Sequence, residues 1–255
     1  MRSKSYWSAG SGEQYRMIDY ENIALDYARH RRVHPKVLQG LISTSGVGAA
    51  SRVLEVGCGT GNYIVALQEI VDCSCWGIDP AEQMLSIAGD GSAKLNFQCG
   101  RAERLDFPRE LFDLVFSVDV IHHVSDRLAY FREAYRVLKA GGKVCTVTDS
   151  EWIIRHRQPL AVYFPDTVEV DLGRYTPIAE LRQIMAQVGF GEITENTVEY
   201  CYQQTDIQPY RDKAFSCLRL ISEEAFHRGI ERMERDLRIG PIQCMPRYLL
   251  LWGIR

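Results

Sequence analysis

No apolar run in this 255-residue chain approaches the roughly 18 residues that a membrane-spanning helix needs. The polar stretch 1–12 lacks the apolar core of a secretory signal. A flexible leader over 1–19 and a cytoplasmic protein are therefore expected, with no membrane partner. A basic excess is also missing. Thirty Lys and Arg stand against 33 Asp and Glu, a net charge of -3, so nothing in the balance points to nucleic acid. The short basic clusters Arg29-His30-Arg31-Arg32 and Arg155-His156-Arg157 read as solvated faces. The cysteines lack a metal-site or disulfide pattern. Cys73-Ser74-Cys75 is too tight for a paired-cysteine zinc site, and no second Cys/His pair follows it. With no secretion signal, reduced and mostly buried thiols are expected, and no metal. Repeats and low-complexity segments are absent.

What is present is an ordinary globular composition. It is 46% hydrophobic and 25% charged, which excludes disorder and collagen-like repeats. The length suffices for one large domain. Apolar runs bounded by Gly, Asp and Pro alternate with amphipathic segments. Strands are predicted at 52–56, 75–78, 95–99, 112–117 and 143–148, and helices at 61–71, 80–88 and 127–138. Continuous apolar strands alternating with helices argue a parallel sheet covered on both faces.

The second half changes character. Thr176 and Pro177 suit the N-cap and first residue of a helix that Gly189 ends. A long polar strand is predicted at 192–202 and a closing strand at 246–254. Between them, at about 209–237, Phe215, Leu218, Ile221, Phe226, Ile230, Met233 and Leu237 recur at helical spacing. This insertion reads both as a helix pair packed on the core and as a lid over a site.

The strongest signal is Val53-Leu54-Glu55-Val56-Gly57-Cys58-Gly59-Thr60-Gly61, a buried strand running into alternating glycines and then a helix. Such a turn lets a ligand touch main-chain atoms at the C-terminal edge of a parallel sheet. The dinucleotide fingerprint would need glycine at position 62, which is Asn62. Glu55 beside a pyrophosphate would be repulsive, whereas beside a cationic amino acid it is favourable. S-adenosylmethionine carries an ammonium and a sulfonium and no phosphate, so it suits this turn better than NAD or ATP. Gly77-Ile78-Asp79-Pro80 ends the next strand, where a carboxylate can hold both ribose hydroxyls of an adenosine. Asp79 also suits capping the following helix, one oxygen for each role.

These residues resemble the class I S-adenosylmethionine-dependent methyltransferases, in particular the type 11 small-molecule branch that includes quinone-biosynthesis methyltransferases. The resemblance covers about 20–148. It rests on 54–61, on Gly77-Ile78-Asp79, on Phe112-Asp113-Leu114-Val115 leading into Ile121-His122-His123-Val124, and on Arg136 to Gly142 with Ala140 in place of the usual proline. It implies a Rossmann-like, doubly wound α/β sheet of seven strands, the last antiparallel, with the helical insertion between the last two.

It implies that Glu55, Gly57, Cys58, Gly59, Thr60 and Gly61 surround the methionine half of the cofactor and that Asp79 holds the ribose. Pro80, Met84, Asp119 and Val120 also fall beside it, and Arg101, Ala102 and Glu103 at the adenine. Arg101 stands where the family often has an aspartate and cannot accept the adenine amino hydrogen bond. Glu103 or a backbone carbonyl takes that role, or the guanidinium stacks on the ring. In the N-terminal helix (20–45), Tyr27 with Arg31 or Arg32 is similar to the family's closure over the methionine carboxylate.

Methyl transfer is a direct displacement, so alignment and water exclusion dominate, and a base is needed only where the acceptor must lose a proton. His122 and His123, after the fourth strand, are the expected catalytic residues. Trp152, Arg155, His156, Tyr163 and Tyr175, with Asp149, are expected to meet a flat or anionic small-molecule acceptor. The expected function is an S-adenosylmethionine-dependent methyltransferase for a small organic O, N or C nucleophile, acting as a monomer or homodimer. The alternatives are an RNA (tRNA) methyltransferase and a non-catalytic S-adenosylmethionine-binding protein on the same fold.

Overall fold

The computed structural model describes residues 29–88 and 92–255. Strand β1 (Arg52–Val56) is buried from Val53 onward and lies between β2 (Ser74–Asp79) and β4 (Phe112–Val118), parallel to both. Alternate residues of these strands feed two separate cores. Leu54, Val56 and Val115 pack with α4 (Arg127–Val137) and α8 (Ile178–Val188) on one face. Val53, Leu114 and Phe116 pack with α1 (Pro35–Ser45) and α2 (Asn62–Val71) on the other. Burial on both faces is why these strands read as unbroken apolar runs.

With β3 (Leu95–Cys99), β5 (Leu138–Thr148), β6 (Gly191–Glu199) and β9 (Arg247–Ile254), the sheet runs β3-β2-β1-β4-β5-β9-β6. Strand β9, the last in the chain, is antiparallel to both of its neighbours. This is the seven-stranded, doubly wound sheet expected, with the insertion between its last two strands in chain order.

Several boundaries differ from expectation. Strand β5 begins at Leu138 rather than at 143, because a register shift opposite Phe112–Leu114 carries the Gly141 turn within it. Helix α3 (Glu82–Ile87) starts after Ala81. Helix α8 is capped at Pro177 rather than Thr176, whose hydroxyl is buried without a partner. The polar strand at 192–202 divides. Its first part, β6, is the largely exposed sheet edge, which explains its composition, and β7 (Tyr202–Gln204) leaves to pair with β8 (Ile242–Cys244).

The insertion is no simple helix pair. It comprises β7, a short α9 (Gln208–Arg211), a single 3-10 turn at Ser216–Arg219, the long α10 (Glu223–Leu237) and β8. Its apolar stripe does not reach the sheet. Leu218, Phe226, Ile230 and Met233 form a third core with Leu160, Tyr163 and Phe164, from the segment holding α5 (Glu151–His156), α6 (Leu160–Tyr163) and α7 (Asp166–Arg174). Two chain segments, after β5 and after β6, thus build one cap. Gly229 permits the contact: a Cβ there would lie 2.2 Å from the Phe164 ring. Among the described residues no helix is long and apolar enough to cross a membrane.

Candidate functional site

The glycine turn is pinned to the sheet before it meets any ligand. The backbone N–H groups of Gly57 and Cys58 both donate to the Ile78 carbonyl, at 2.8 and 2.9 Å. Gly57 sits at φ 71° with no room for a side chain, since a Cβ would fall 2.5 Å from Val120 Cγ2. Asp79, at the end of β2, accepts from Gly59 N–H through Oδ2 and from Ala81 N–H through Oδ1, each at 2.9 Å. Both oxygens therefore hold backbone, contrary to the expected one-oxygen division.

These groups border a cleft of about 650 Å³ at the C-terminal edge of the sheet. Gly57, Gly59, Asp79, Pro80, Met84, Ala102, Asp119 and Val120, all among the residues singled out in the sequence, line it together with Ala81, Gly100, Val118 and His123. Its walls are apolar, with carboxylates at Asp79 and Asp119. That chemistry suits an adenosine carrying positive charge and opposes a pyrophosphate.

Other expected contacts do not line the cleft. Glu55 is 2% exposed beneath the turn, and its Oε2 accepts from Ile64 N–H at 2.9 Å. It supplies the cap that Gly61, at the head of α2, cannot make. Burial pushes its carboxyl well above the usual range, with Asp79 adding to the shift. Cys58 and Thr60 are buried behind the turn. Gly61 packs against Phe97, which a Cβ would meet at 2.7 Å. Arg101 Nε lies 3.6 Å from Glu103 Oε2, and Glu103 Oε1 is held by Ser125, so neither side chain reaches the cleft. Gly100 and Ala102 line it there instead. Arg32 is exposed, whereas Arg31 pairs with Asp119 at the cleft margin. Tyr27 lies outside the described residues.

A second cavity, of about 970 Å³, shares Asp119 and His123 with the first. His122 lines it, stacked on Tyr175 with ring centroids 4.1 Å apart. Burial pulls both histidines down, His123 to about 3, with Arg174 and Arg31 adding to the effect. Both are neutral at physiological pH and are weak bases, which speaks against general-base work by either.

Asp149, just past β5, lines the same cavity. It is 4% exposed and its Oδ1 has no hydrogen-bond partner. Arg157 Nη1 lies 3.3 Å from Asp149 Oδ2, its Nη2 pairs with Asp171, and Arg174 reaches Asp171 at 3.1 Å. Burial pushes the Asp149 carboxyl up to about 7 against the pull of Arg157. Burial opposes the Arg157 charge, yet Asp149 and Asp171 outweigh it and hold the guanidinium charged.

Of the expected acceptor residues only Tyr175 and Asp149 line the cavity. Trp152 is 55% exposed with His156 stacked on it, Arg155 reaches outward to Glu169, and Tyr163 donates to Asp236 within the cap. The missed residues Arg157, Asp171, Tyr210, Phe215, Arg219 and Tyr248 come from four distant segments. Two signals touched them, Phe215 in the stripe of the insertion and the Arg155-His156-Arg157 cluster, which read as a solvated face.

The strand order, the single antiparallel strand and a cleft at the parallel strands' carboxyl ends define a Rossmann-like α/β protein with a nucleoside-sized site. Residues 54–146 match the family model of a methyltransferase domain, Methyltransf_11. The chain is 35% identical over 112 residues to the uncharacterized methyltransferase YcgJ of Bacillus subtilis, covering 42% of this chain and 44% of that one. It is 30% identical over 158 residues to the demethylmenaquinone methyltransferase of Oceanobacillus iheyensis, covering 59% and 65%. It thus spans less than two thirds of the length of either relative. A solved structure of phosphoethanolamine N-methyltransferase 2 from Haemonchus contortus, in complex with phosphomonomethylethanolamine and S-adenosylhomocysteine, shares the fold. Its TM-score is 0.60 at 19% identity, over 92% of this chain and 57% of that one. Residues 54–146 are thus similar to the type 11 methyltransferase domain, and the fold around them is the one these methyltransferases share.

Proposed function

We propose that the protein binds S-adenosylmethionine in the smaller cleft and methylates a small organic acceptor held in the larger cavity. The carrying observation is that the two spaces meet at Asp119 and His123. A donor on one side and an acceptor on the other would face each other there. Bound S-adenosylmethionine supplies an electrophilic methyl group on a good, neutral leaving group. The chain's residues bind and align. Asp79, whose carboxylate lines the cleft at the end of β2, meets the ribose hydroxyls, and the backbone of Gly57 and Gly59 meets the methionine half. Pro80, Met84, Ala102 and Val120 enclose the base, and backbone groups at Gly100 and Ala102 read it in place of Arg101. Asp119 and Arg31 present one carboxylate and one guanidinium at the boundary, matching an amino acid's ammonium and carboxylate. The cap built on α10 excludes water from the acceptor side.

The geometry favours a small acceptor over RNA, because the second cavity is roofed by the insertion rather than open along a basic groove. Calorimetry with S-adenosylhomocysteine, NAD and ATP tests the donor assignment. Heat with the first alone is expected, and uptake of only a phosphorylated nucleotide would overturn it. Transfer of labelled methyl to small molecules but not to tRNA is expected to follow.

A further inference from the structure

Four guanidinium groups line the larger cavity, and three are matched to carboxylates. Arg31 pairs with Asp119, Arg157 with Asp149 and Asp171, and Arg247 with Glu199 at 3.0 Å. Arg219 has no carboxylate within ion-pair distance among the described residues. Its Nη2 reaches only the Asp212 carbonyl at 3.2 Å, and its Nε is buried without a partner. Among the three acids of the cavity, Asp171 has both oxygens engaged by arginines and Asp119 Oδ2 is held by Arg31. Asp149 alone keeps a buried oxygen with no partner. Arg157 Nε and His122 Nδ1 in the same lining are buried without a partner as well, but Arg157 already has its charge matched, and buried groups left open are destabilising until a ligand satisfies them. The same cavity is lined by aromatic rings, Tyr175 stacked on His122 together with Tyr210, Phe215 and Tyr248.

Building on the donor assignment above, we infer that the acceptor is a planar hydroxy compound of the phenol or enol type bearing an anionic arm. Arg219 holds the arm, and Asp149 takes the hydroxyl proton. The acceptor oxygen forms its bond to the donor methyl carbon as the methyl–sulfur bond breaks, that electron pair staying on sulfur. The hydroxyl proton passes to Asp149 Oδ1 and later from the neutral acid to water. Asp149 stands at the end of β5 beside Asp119 at the end of β4, whose N–H bonds to Val147. This places it next to the boundary with the donor cleft. Its titration near neutrality suits the task. Burial, Asp119 and Asp171 raise it, Arg157 and Arg31 lower it, and Tyr175 faces it from the segment before α8. The neutral His122 and His123 are left to pack against the acceptor face.

The test uses chromogenic probes on the full chain saturated with S-adenosylhomocysteine. The probes are 4-hydroxy-3-nitrobenzoate, and 2-nitrophenol as its analogue without the carboxylate. Each is titrated below the phenol's own midpoint while the phenolate band is followed. Wild type should raise the phenolate fraction of both probes on binding. Asp149→Asn should bind them with the phenol still protonated. Arg219→Gln should weaken the carboxylate probe about tenfold, as expected for loss of one charge-assisted contact, and leave 2-nitrophenol within about twofold. Thermal melts and S-adenosylhomocysteine affinity confirm folding, and Asp149→Ser replaces the Asn variant if that fails to fold. An equal phenolate fraction in wild type and Asp149→Asn, no preference for the carboxylate probe, or no binding of either probe would overturn the inference and leave the donor assignment standing. Absence of heat with S-adenosylhomocysteine would remove both.

Discussion

At Gly57 the backbone is left-handed and the side-chain position is filled by the branched side chain of Val120, whose Cγ2, Cγ1 and Cβ would lie 2.5, 2.7 and 3.2 Å from an added Cβ. An alanine there meets two penalties at once, about 1–2 kcal/mol for the backbone and a clash that moves the turn. Gly57→Ala is expected to lower S-adenosylhomocysteine affinity at least roughly tenfold by calorimetry, more than its effect on melting would suggest. Glu55 behaves differently because its carboxylate caps α2 rather than lining the cleft. Glu55→Gln keeps an acceptor for the Ile64 N–H, so the cofactor affinity should change little. Glu55→Ala should destabilise by about 1–3 kcal/mol in chemical denaturation, the cost of an orphaned buried donor.

Asp149 carries a pH signature. Its folded-state pKa, up to about 7, lies above that of an unfolded aspartate, so the folded chain holds this proton more tightly. The resulting stability is complete below the unfolded pKa and is lost as pH rises through about 7. Asp149→Asn mimics the neutral form. The melting temperature of wild type relative to this variant should therefore fall between acidic and mildly alkaline buffer, and a flat difference would contradict the electrostatics.

Among the elements, α10 shows how a surface-looking helix acquires a role. Its one apolar stripe, with Arg and Glu elsewhere, must be buried on something. It packs on α6 and β8, forming a core separate from the two that flank the sheet. Gly229 is where α10 crosses Phe164 and the Tyr163 carbonyl, which a Cβ would approach to 2.8 Å. Gly229→Val is expected to pry the helix from α6. The acceptor KM should rise while S-adenosylhomocysteine affinity stays within about twofold, because no residue of α10 lines the donor cleft. Equal loss of both would mean that the cap and the sheet fold as one unit. The N-terminal segment joins this arrangement through His30, 2.6 Å from Asp212 in the insertion, and through Arg31 on Asp119. Three stretches far apart in the chain thus meet over one cavity.

For the whole molecule, the cleft lies on the sheet and the second cavity between sheet and cap, so the donor should stabilise the native state. S-adenosylhomocysteine at about a hundredfold its Kd should add about 2.7 kcal/mol, raising the melting temperature by roughly 5–10 °C. NAD at the same concentration should leave it unchanged.

The glycine turn, Asp79, the parallel core and a closing strand were all legible in the residues, while the antiparallel direction of that strand came only with the family resemblance. Each is written locally, in an apolar run, a turn that only glycine makes, or an acid at a strand end, and the sheet then stacks those ends along one edge. Pairing decided the rest. Whether a carboxylate at the end of β1 meets ligand or caps a helix depends on where α2 begins in space, and sequence spacing does not report that. The same holds for Arg31 against Arg32, where adjacent residues point in different directions and only one finds Asp119. The acceptor cavity is the extreme case. Asp149, Arg157, Tyr175 and Arg219 belong to separate segments, and their burial and partnering exist only once the two insertions close over the sheet, because exposure and charge balance are properties of the packed chain.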